Sequence, residues 1–234
     1  MKNKKIAVIL SGCGHQDGAE IHEATLTLWA IHKHGADYQC FAPNIMQHHV
    51  LNHITGQEID EQRNVLIEAA RIARGKVEDL AEFNADTVDA LVIPGGVGAA
   101  KNLCTYAFDG PDCSVNPDVE QAVRAVHQAG KPIGALCIAP VLLARILGKV
   151  TLTIGQDKKT EEHIRQLGAA HQPTMQGEIA VDRENKIVTT PCYMLESRVD
   201  QIAESADKLV QVLLQLIVPV LNNPNNEPDP LRKY

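Results

Sequence analysis

Lys131-Pro-Ile-Gly-Ala-Leu-Cys-Ile-Ala-Pro140 is the stretch on which the reading of this chain turns. Residues 132–136 make a short continuous apolar run, the mark of a strand buried on both faces of a parallel sheet. The run stops at Cys137, and a helical pattern over residues 138–147 begins at once. A turn that passes straight from strand to helix exposes the side chain at its apex and sets it beside the helix N-terminus. The free amides and the positive dipole end there favour a thiolate. Cys137 is therefore the candidate nucleophile. The plain alternative is a small core cysteine, since free cysteines are often buried.

Outward from this elbow the pattern alternates strand and helix. Strands are expected at 6–10, 38–42, 90–93 and 132–136, and a hairpin at 179–182 and 186–189. Helices are expected at 17–34, 64–74, 119–129, 138–147, 161–167 and 195–218. In the first of these, Ile21, Ala24, Leu28 and Ile31 recur at helical spacing and Gly35 closes the run. This order implies one α/β domain over residues 1–221, a flavodoxin-like three-layer sandwich with a mainly parallel sheet and helices on both faces. Residues 222–234 are rich in Asn and Pro and are expected to form a flexible tail. Residues 43–63 and 104–117 read as loop excursions. Ligand sites of such sheets form at the carboxyl ends of strands. Function is therefore expected near residues 11–17, 94–98, 137–138 and 190–193.

Composition narrows the classes. Hydrophobic residues are 44% and charged residues 22% of 234, which excludes wholesale disorder. The formal charge of −7 argues against a nucleic-acid partner. The longest apolar run, 210–221, is broken by Gln211, Gln215 and Pro219, too short and interrupted to span a bilayer. The five apolar residues 6–10 are too few for a secretory h-region, so a cytoplasmic location is expected. The six cysteines contain no CxxC pair and should be free thiols. His48 and His49 are adjacent in sequence and suit a loop better than a helical metal pair. Neither a metal nor a cofactor is expected.

Two further segments join Cys137. Pro94-Gly95-Gly96-Val97-Gly98 follows a strand. It lacks phosphate-loop spacing, but its backbone could aim amides at a developing oxyanion, with Gly96 and Ile138 as the two donors. Asp17-Gly-Ala-Glu20-Ile-His22-Glu23 places two carboxyls three residues apart on the first helix. Either could sit beside Cys137 as a general acid and base.

The elbow cysteine, the Pro-Gly-Gly loop and the early helix glutamate together resemble the ThiJ/PfpI superfamily, relatives of class I glutamine amidotransferase domains. Ser11 to Glu23, Arg63-Asn-Val-Leu, Ala70 to Gly75, Gly98-Ala-Ala-Lys-Asn102 and Lys186 to Pro191 resemble its ElbB branch. That branch holds bacterial enhancing-lycopene-biosynthesis proteins and a mitochondrial homologue. The resemblance implies a homodimer and a cofactor-independent glyoxalase-like activity on a small dicarbonyl substrate. It implies Cys137 as nucleophile, Gly96 and Ile138 as oxyanion amides, and Glu23 as the acid, with Glu20 in reserve. Many relatives carry His directly after the cysteine, whereas this chain has Ile138. His163 and His171 lack the spacing of the amidotransferase triad. Cys13, His22 and Cys192 are expected near the pocket. Two other readings stand beside glyoxalase action: a redox or electrophile sensor, and an accessory protein of isoprenoid metabolism without catalysis.

Overall fold

The computed structural model describes residues 3–217. The chain opens with β1 (Lys5–Ile9), α1 (Ile21–Lys33) and β2 (Asp37–Ala42). Next come α2 (Val65–Ile72), β3 (Val77–Asp79), β4 (Ala90–Ile93), α3 (Val97–Lys101) and α4 (Tyr106–Asp109). After these stand α5 (Pro117–Gln128), β5 (Ile133–Leu136), α6 (Pro140–Leu147), β6 (Thr151–Leu152) and α7 (Lys158–Gln166). The described chain ends with β7 (Ala170–His171), β8 (Ala180–Asp182), β9 (Ile187–Thr190) and α8 (Val199–Ile217).

Seven strands form one sheet in the order β3-β2-β1-β4-β5-β9-β8. All neighbours are parallel except β8 against β9. β6 and β7 pair apart as a small parallel ribbon. The central strands are apolar throughout because both of their faces are covered. On one face Ile9, Leu91, Ile93 and Ile133 meet α5 and α6 through Val119, Val123, Leu142 and Leu143. On the other, Ile6, Val8, Val92 and Val188 meet α1 and α8 through Ala24, Ile31, Leu209 and Leu213. The three layers and mostly parallel sheet are the flavodoxin-like α/β sandwich expected from the strand–helix alternation.

Two helix starts differ most from expectation. The first helix begins at Ile21 rather than at residue 17. Glu20 stays extended and caps the helix, its side chain accepting the Glu23 amide. The last helix begins at Val199, because residues Cys192–Met194 wind into a 3-10 turn first. The tail at 222–234, and the end of the apolar run beyond residue 217, lie outside the described residues. No helix among the described residues is long and apolar enough to cross a membrane.

Candidate active site

β5 ends at Leu136, paired with Thr190 of β9. The next residue, Cys137, is driven into the left-handed region with φ 59° while its amide still donates to Thr190 O at 2.9 Å. Non-glycine residues adopt that conformation rarely and at a cost in strain. Here the β5–β9 pairing on one side and the turn into α6 on the other hold it.

Glu23 comes to Cys137 from α1 and is fully buried. Its carboxyl is held from both sides. Oε2 accepts the Gly95 amide at 2.9 Å, and Oε1 accepts the Tyr193 amide at 3.3 Å. The carboxyl also hydrogen-bonds the Cys137 thiol. Gly95 is where the approach is tightest: a Cβ there would stand 2.4 Å from Cys137 Cβ and 2.6 Å from Glu23 Oε2. Gly96 has φ 92°, and a Cβ on it would meet the Glu20 amide nitrogen at 2.4 Å. Only glycines let the loop after β4 pass between acid and nucleophile.

Burial dominates the electrostatics. It lifts the Glu23 carboxyl to about 8, with the neighbouring charge of Glu20 adding to the rise and the Tyr193 and Gly95 amides opposing it. Burial also pushes the Cys137 thiol well above its ordinary value, and an ionised Glu23 would push it further. The amides of Gly96 and Ile138 bond the sulfur and pull the other way. The thiolate expected from the helix N-terminus is thus corrected. The dipole is present, but desolvation by burial outweighs it and raises the thiol.

A cavity of about 600 Å³ opens above the sulfur. Val97, Ala100, Tyr106, Ala107, Ile138 and Met194 give it mostly apolar walls. A polar side is made by Glu20, His22, His15 and Tyr193. The Tyr193 hydroxyl and His22 Nδ1 are hydrogen-bonded at 2.8 Å, and Glu20 Oε1 lies 3.9 Å from the same nitrogen.

The structure therefore gathers Cys137, Glu23, Glu20, Gly96, Ile138 and His22 at one place. Two expected neighbours line no wall of the cavity. Cys13 is half-buried with Gly18 packed on its backbone, and its charged surroundings are Glu68 and Arg71 rather than the cavity. Cys192 is buried behind the pair, near enough for the charges of Glu23 and Cys137 to act on it, with its thiol bonded to Ser205 and Thr190, and it lines no wall. Both follow strands at the right edge, but their side chains face inward to the packing. His163 is bonded by the Tyr106 hydroxyl at 2.9 Å, and His171 lies beside Glu161. Neither lines the cavity.

Of the two excursions only 104–117 lines the cavity; 43–63 is held against the loop after β1. Asn102 donates to Ser11 O and Asp17 O, each at 2.9 Å, and accepts the His48 amide at 3.0 Å. This single buried amide pins the 43–63 excursion to the loop after β1. The second excursion supplies Tyr106 and Ala107. Apolar loop residues of this kind carry no motif, so sequence reasoning missed them. Tyr193 lay within the expected 190–193 edge, but nothing in its type announced a bond to His22. Among the described residues, no group of three or more His, Cys, Asp or Glu could hold a metal.

Comparison with known proteins bears directly on this arrangement. The model of the DJ-1/PfpI family matches residues 5–190. The chain belongs to the DJ-1/PfpI family. A human relative, glutamine amidotransferase-like class 1 domain-containing protein 3, mitochondrial, is 47% identical over 91% of this chain and 83% of its own length. The zebrafish (Danio rerio) ES1 protein, mitochondrial, is 37% identical over 83% of this chain and 78% of its own. Among solved structures, an isoprenoid biosynthesis protein with amidotransferase-like domain from Ehrlichia chaffeensis superposes with TM-score 0.84. It is 36% identical and covers 90% of this chain and 99% of that one. Glyoxalase III from Candida albicans shares the fold at TM-score 0.57 and 16% identity, covering 91% and 97%. These DJ-1/PfpI relatives correct the expected cytoplasmic location: the curated ones at 37–47% identity are mitochondrial proteins. The earlier expectation tested only for a secretory h-region, and an organelle address is read by its receptor and leaves no trace in a packed core.

Proposed function

We propose that this DJ-1/PfpI protein is a glyoxalase-like enzyme of the ElbB branch, converting a 2-oxoaldehyde to a 2-hydroxy acid without a cofactor. The observation that carries the reading is the contact of a fully buried Glu23 carboxyl with the Cys137 thiol at the floor of a cavity. The 36% identity to the Ehrlichia chaffeensis protein supports the branch.

The chemistry runs on the shared proton of the pair. In the state with one proton between Glu23 and Cys137, the sulfur attacks the aldehyde carbon. A C–S bond forms, and the carbonyl π pair moves to oxygen, where the Gly96 and Ile138 amides stabilise it. Glu23 gives its proton to that oxygen. The resulting carboxylate then removes the hydrogen on the same carbon and returns it to the adjacent one through an enediol. One carbon is oxidised to a thioester as its neighbour is reduced, so no outside electron carrier is needed. Water cleaves the thioester and releases the hydroxy acid and the thiol.

The sensor reading has less support. A redox or electrophile sensor needs an accessible, readily ionised thiol, whereas burial pushes Cys137 the other way. For glutaminase action, neither His163 nor His171 lines the cavity. A cavity of about 600 Å³ also lies within the roughly 300–1,000 Å³ that hold drug-sized ligands. Glyoxal would leave most of it empty, so 2-oxoaldehydes with a bulky apolar substituent belong among the substrates tested.

The test is NMR of the protein incubated with glyoxal, methylglyoxal and phenylglyoxal, with Cys137→Ala in parallel. Hydroxy-acid product from the wild type alone is expected. Equal product from both proteins would remove Cys137 from the chemistry. No product from a folded protein whose Cys137 still alkylates would end the glyoxalase reading.

A further inference from the structure

Cys104 and Cys113 stand outside the cavity chemistry. They bracket α4 and the 3-10 turn Gly110–Asp112. The chain around them folds back as a short antiparallel hairpin. Cys104 bridges Val115, the Thr105 amide donates to Ser114 O at 2.9 Å, and the Asn116 amide donates to Leu103 O at 2.9 Å. Cys113 is two residues from Val115, so its side chain falls on the same face of the hairpin as that of Cys104. Both belong to the apolar cluster on that side of the sheet. The two thiols interact with each other, and Ala99 O at 3.5 Å is a second acceptor for the single Cys104 S–H. Arg145 Nε donates to Cys113 O at 2.7 Å, which brings a guanidinium to the second thiol. The contact with Cys104, helped by that charge, lowers Cys113 from its ordinary value, while the same contact pushes Cys104 up. Cys113 itself is buried, but Asp112 and Ser114 on either side are exposed. A small oxidant therefore needs only a local opening of the turn to reach it.

We infer that Cys104 and Cys113 form a redox-active dithiol, closed to an intramolecular disulfide by hydrogen peroxide and reopened by a thiol reductant. Cys113 attacks first. Its thiolate sulfur takes one peroxide oxygen, the O–O bond breaks, and hydroxide leaves. The Cys104 sulfur then attacks the Cys113 sulfenic acid and forms the S–S bond. The sulfenic oxygen departs as water with the Cys104 proton. Each sulfur loses one electron, and the peroxide becomes two waters. The ring so closed contains Tyr106 and Ala107, two residues of the cavity wall. Oxidation therefore ties down one side of the cavity without touching Cys137.

Both cysteines fall in one tryptic peptide, residues 102–124, which has no internal Lys or Arg. The native full-length protein is treated with hydrogen peroxide, quenched with iodoacetamide and digested without reduction. The peptide is expected two hydrogens lighter and unlabelled, and to take two labels after dithiothreitol. In Cys104→Ser, Cys113 is expected to advance to sulfinic acid. In Cys113→Ser, Cys104 is expected to stay reduced and take its label. Two labels on the wild-type peptide after peroxide would overturn the inference. So would a bridge from either residue to Cys13, Cys137 or another chain.

Discussion

Glu23 Oε2, on α1, accepts the backbone amide of Gly95, in the loop after β4, at 2.9 Å. The acid is thus fixed by main chain rather than by a cation. A cationic partner would have kept it ionised. The amides leave burial free to hold it protonated to about 8.

That proton links Glu23 to stability. The carboxyl has an ordinary value of 4.5 when exposed and about 8 when folded. Below the lower value both states carry the proton, and the contribution is complete. Between the two, the unfolded chain releases the proton and the folded chain keeps it, so stability falls as pH rises. Above about 8 the loss is complete. Its size is on the order of 3–5 kcal/mol. Urea unfolding at pH 5 and pH 8.5 should show this fall in the wild type. Glu23→Gln should lose most of the fall and gain on the wild type at the higher pH. Parallel pH profiles for the two proteins would mean that the carboxyl is ionised in the fold.

Thiol chemistry should follow the same proton. The pair sheds its first proton near 8, the value of Glu23, and only the singly protonated pair holds a reactive sulfur. The alkylation rate of Cys137 by iodoacetamide should climb about tenfold per pH unit up to that point and then bend. The bend should vanish in Glu23→Gln. A rate already flat from pH 6 would show a preformed thiolate.

Gly95→Ala is expected to be severe. Its methyl would lie 2.4 Å from Cys137 Cβ and 2.9 Å from Leu136 O, neither of which can swing aside. Relief requires the loop after β4 to move off the nucleophile. The cost should be about 2–3 kcal/mol, with activity lost. Wild-type stability in thermal melts of this variant would show that the loop has slack.

Asn102→Ala should loosen the 43–63 excursion rather than the sheet. It removes the acceptor of the His48 amide and both donors to Ser11 and Asp17. The stranded backbone groups should cost about 2–4 kcal/mol. Hydrogen exchange should speed up in residues 43–63 and stay slow in β1 and β4. Uniform acceleration everywhere would mean that this staple belongs to the global core.

The parts of this fold that could be read from sequence are those where burial leaves a repeating signature. β1, β4 and β5 are apolar on both faces, and α1 and α5 carry an apolar stripe, so residues 6–10, 90–93 and 132–136 announced themselves. β3, with sequence Val-Glu-Asp, is an edge strand of three residues and has no such signature. The β6–β7 ribbon has two residues per strand and none either. Asp17 to Glu20 reads as joined to the helical spacing that starts at Ile21 but stays a loop, since Gly18 is wedged against Cys13, Gly96 and Gly98. At the site, Cys137 and Glu23 could be found because each is placed by a regular element. Cys13 and Cys192 line no cavity wall, because which way a side chain leaves a loop depends on packing partners far off in the chain. The raised thiol was hidden for a similar reason: a helix end is visible in sequence, but the depth of burial beneath it is not.

The two amides that hold Glu23 come from residues 95 and 193, and the elbow is tied to Thr190. A ribosome delivers these pieces in order, acid first, then glycine loop and cysteine, and the clasp last. Until residue 193 has left the exit tunnel, Cys137 has neither its β9 partner nor a fully held neighbour. A chain stalled or truncated before that point carries the nucleophile without the surroundings that restrain it. Completion of the site thus doubles as a check that the last third of the protein has been made.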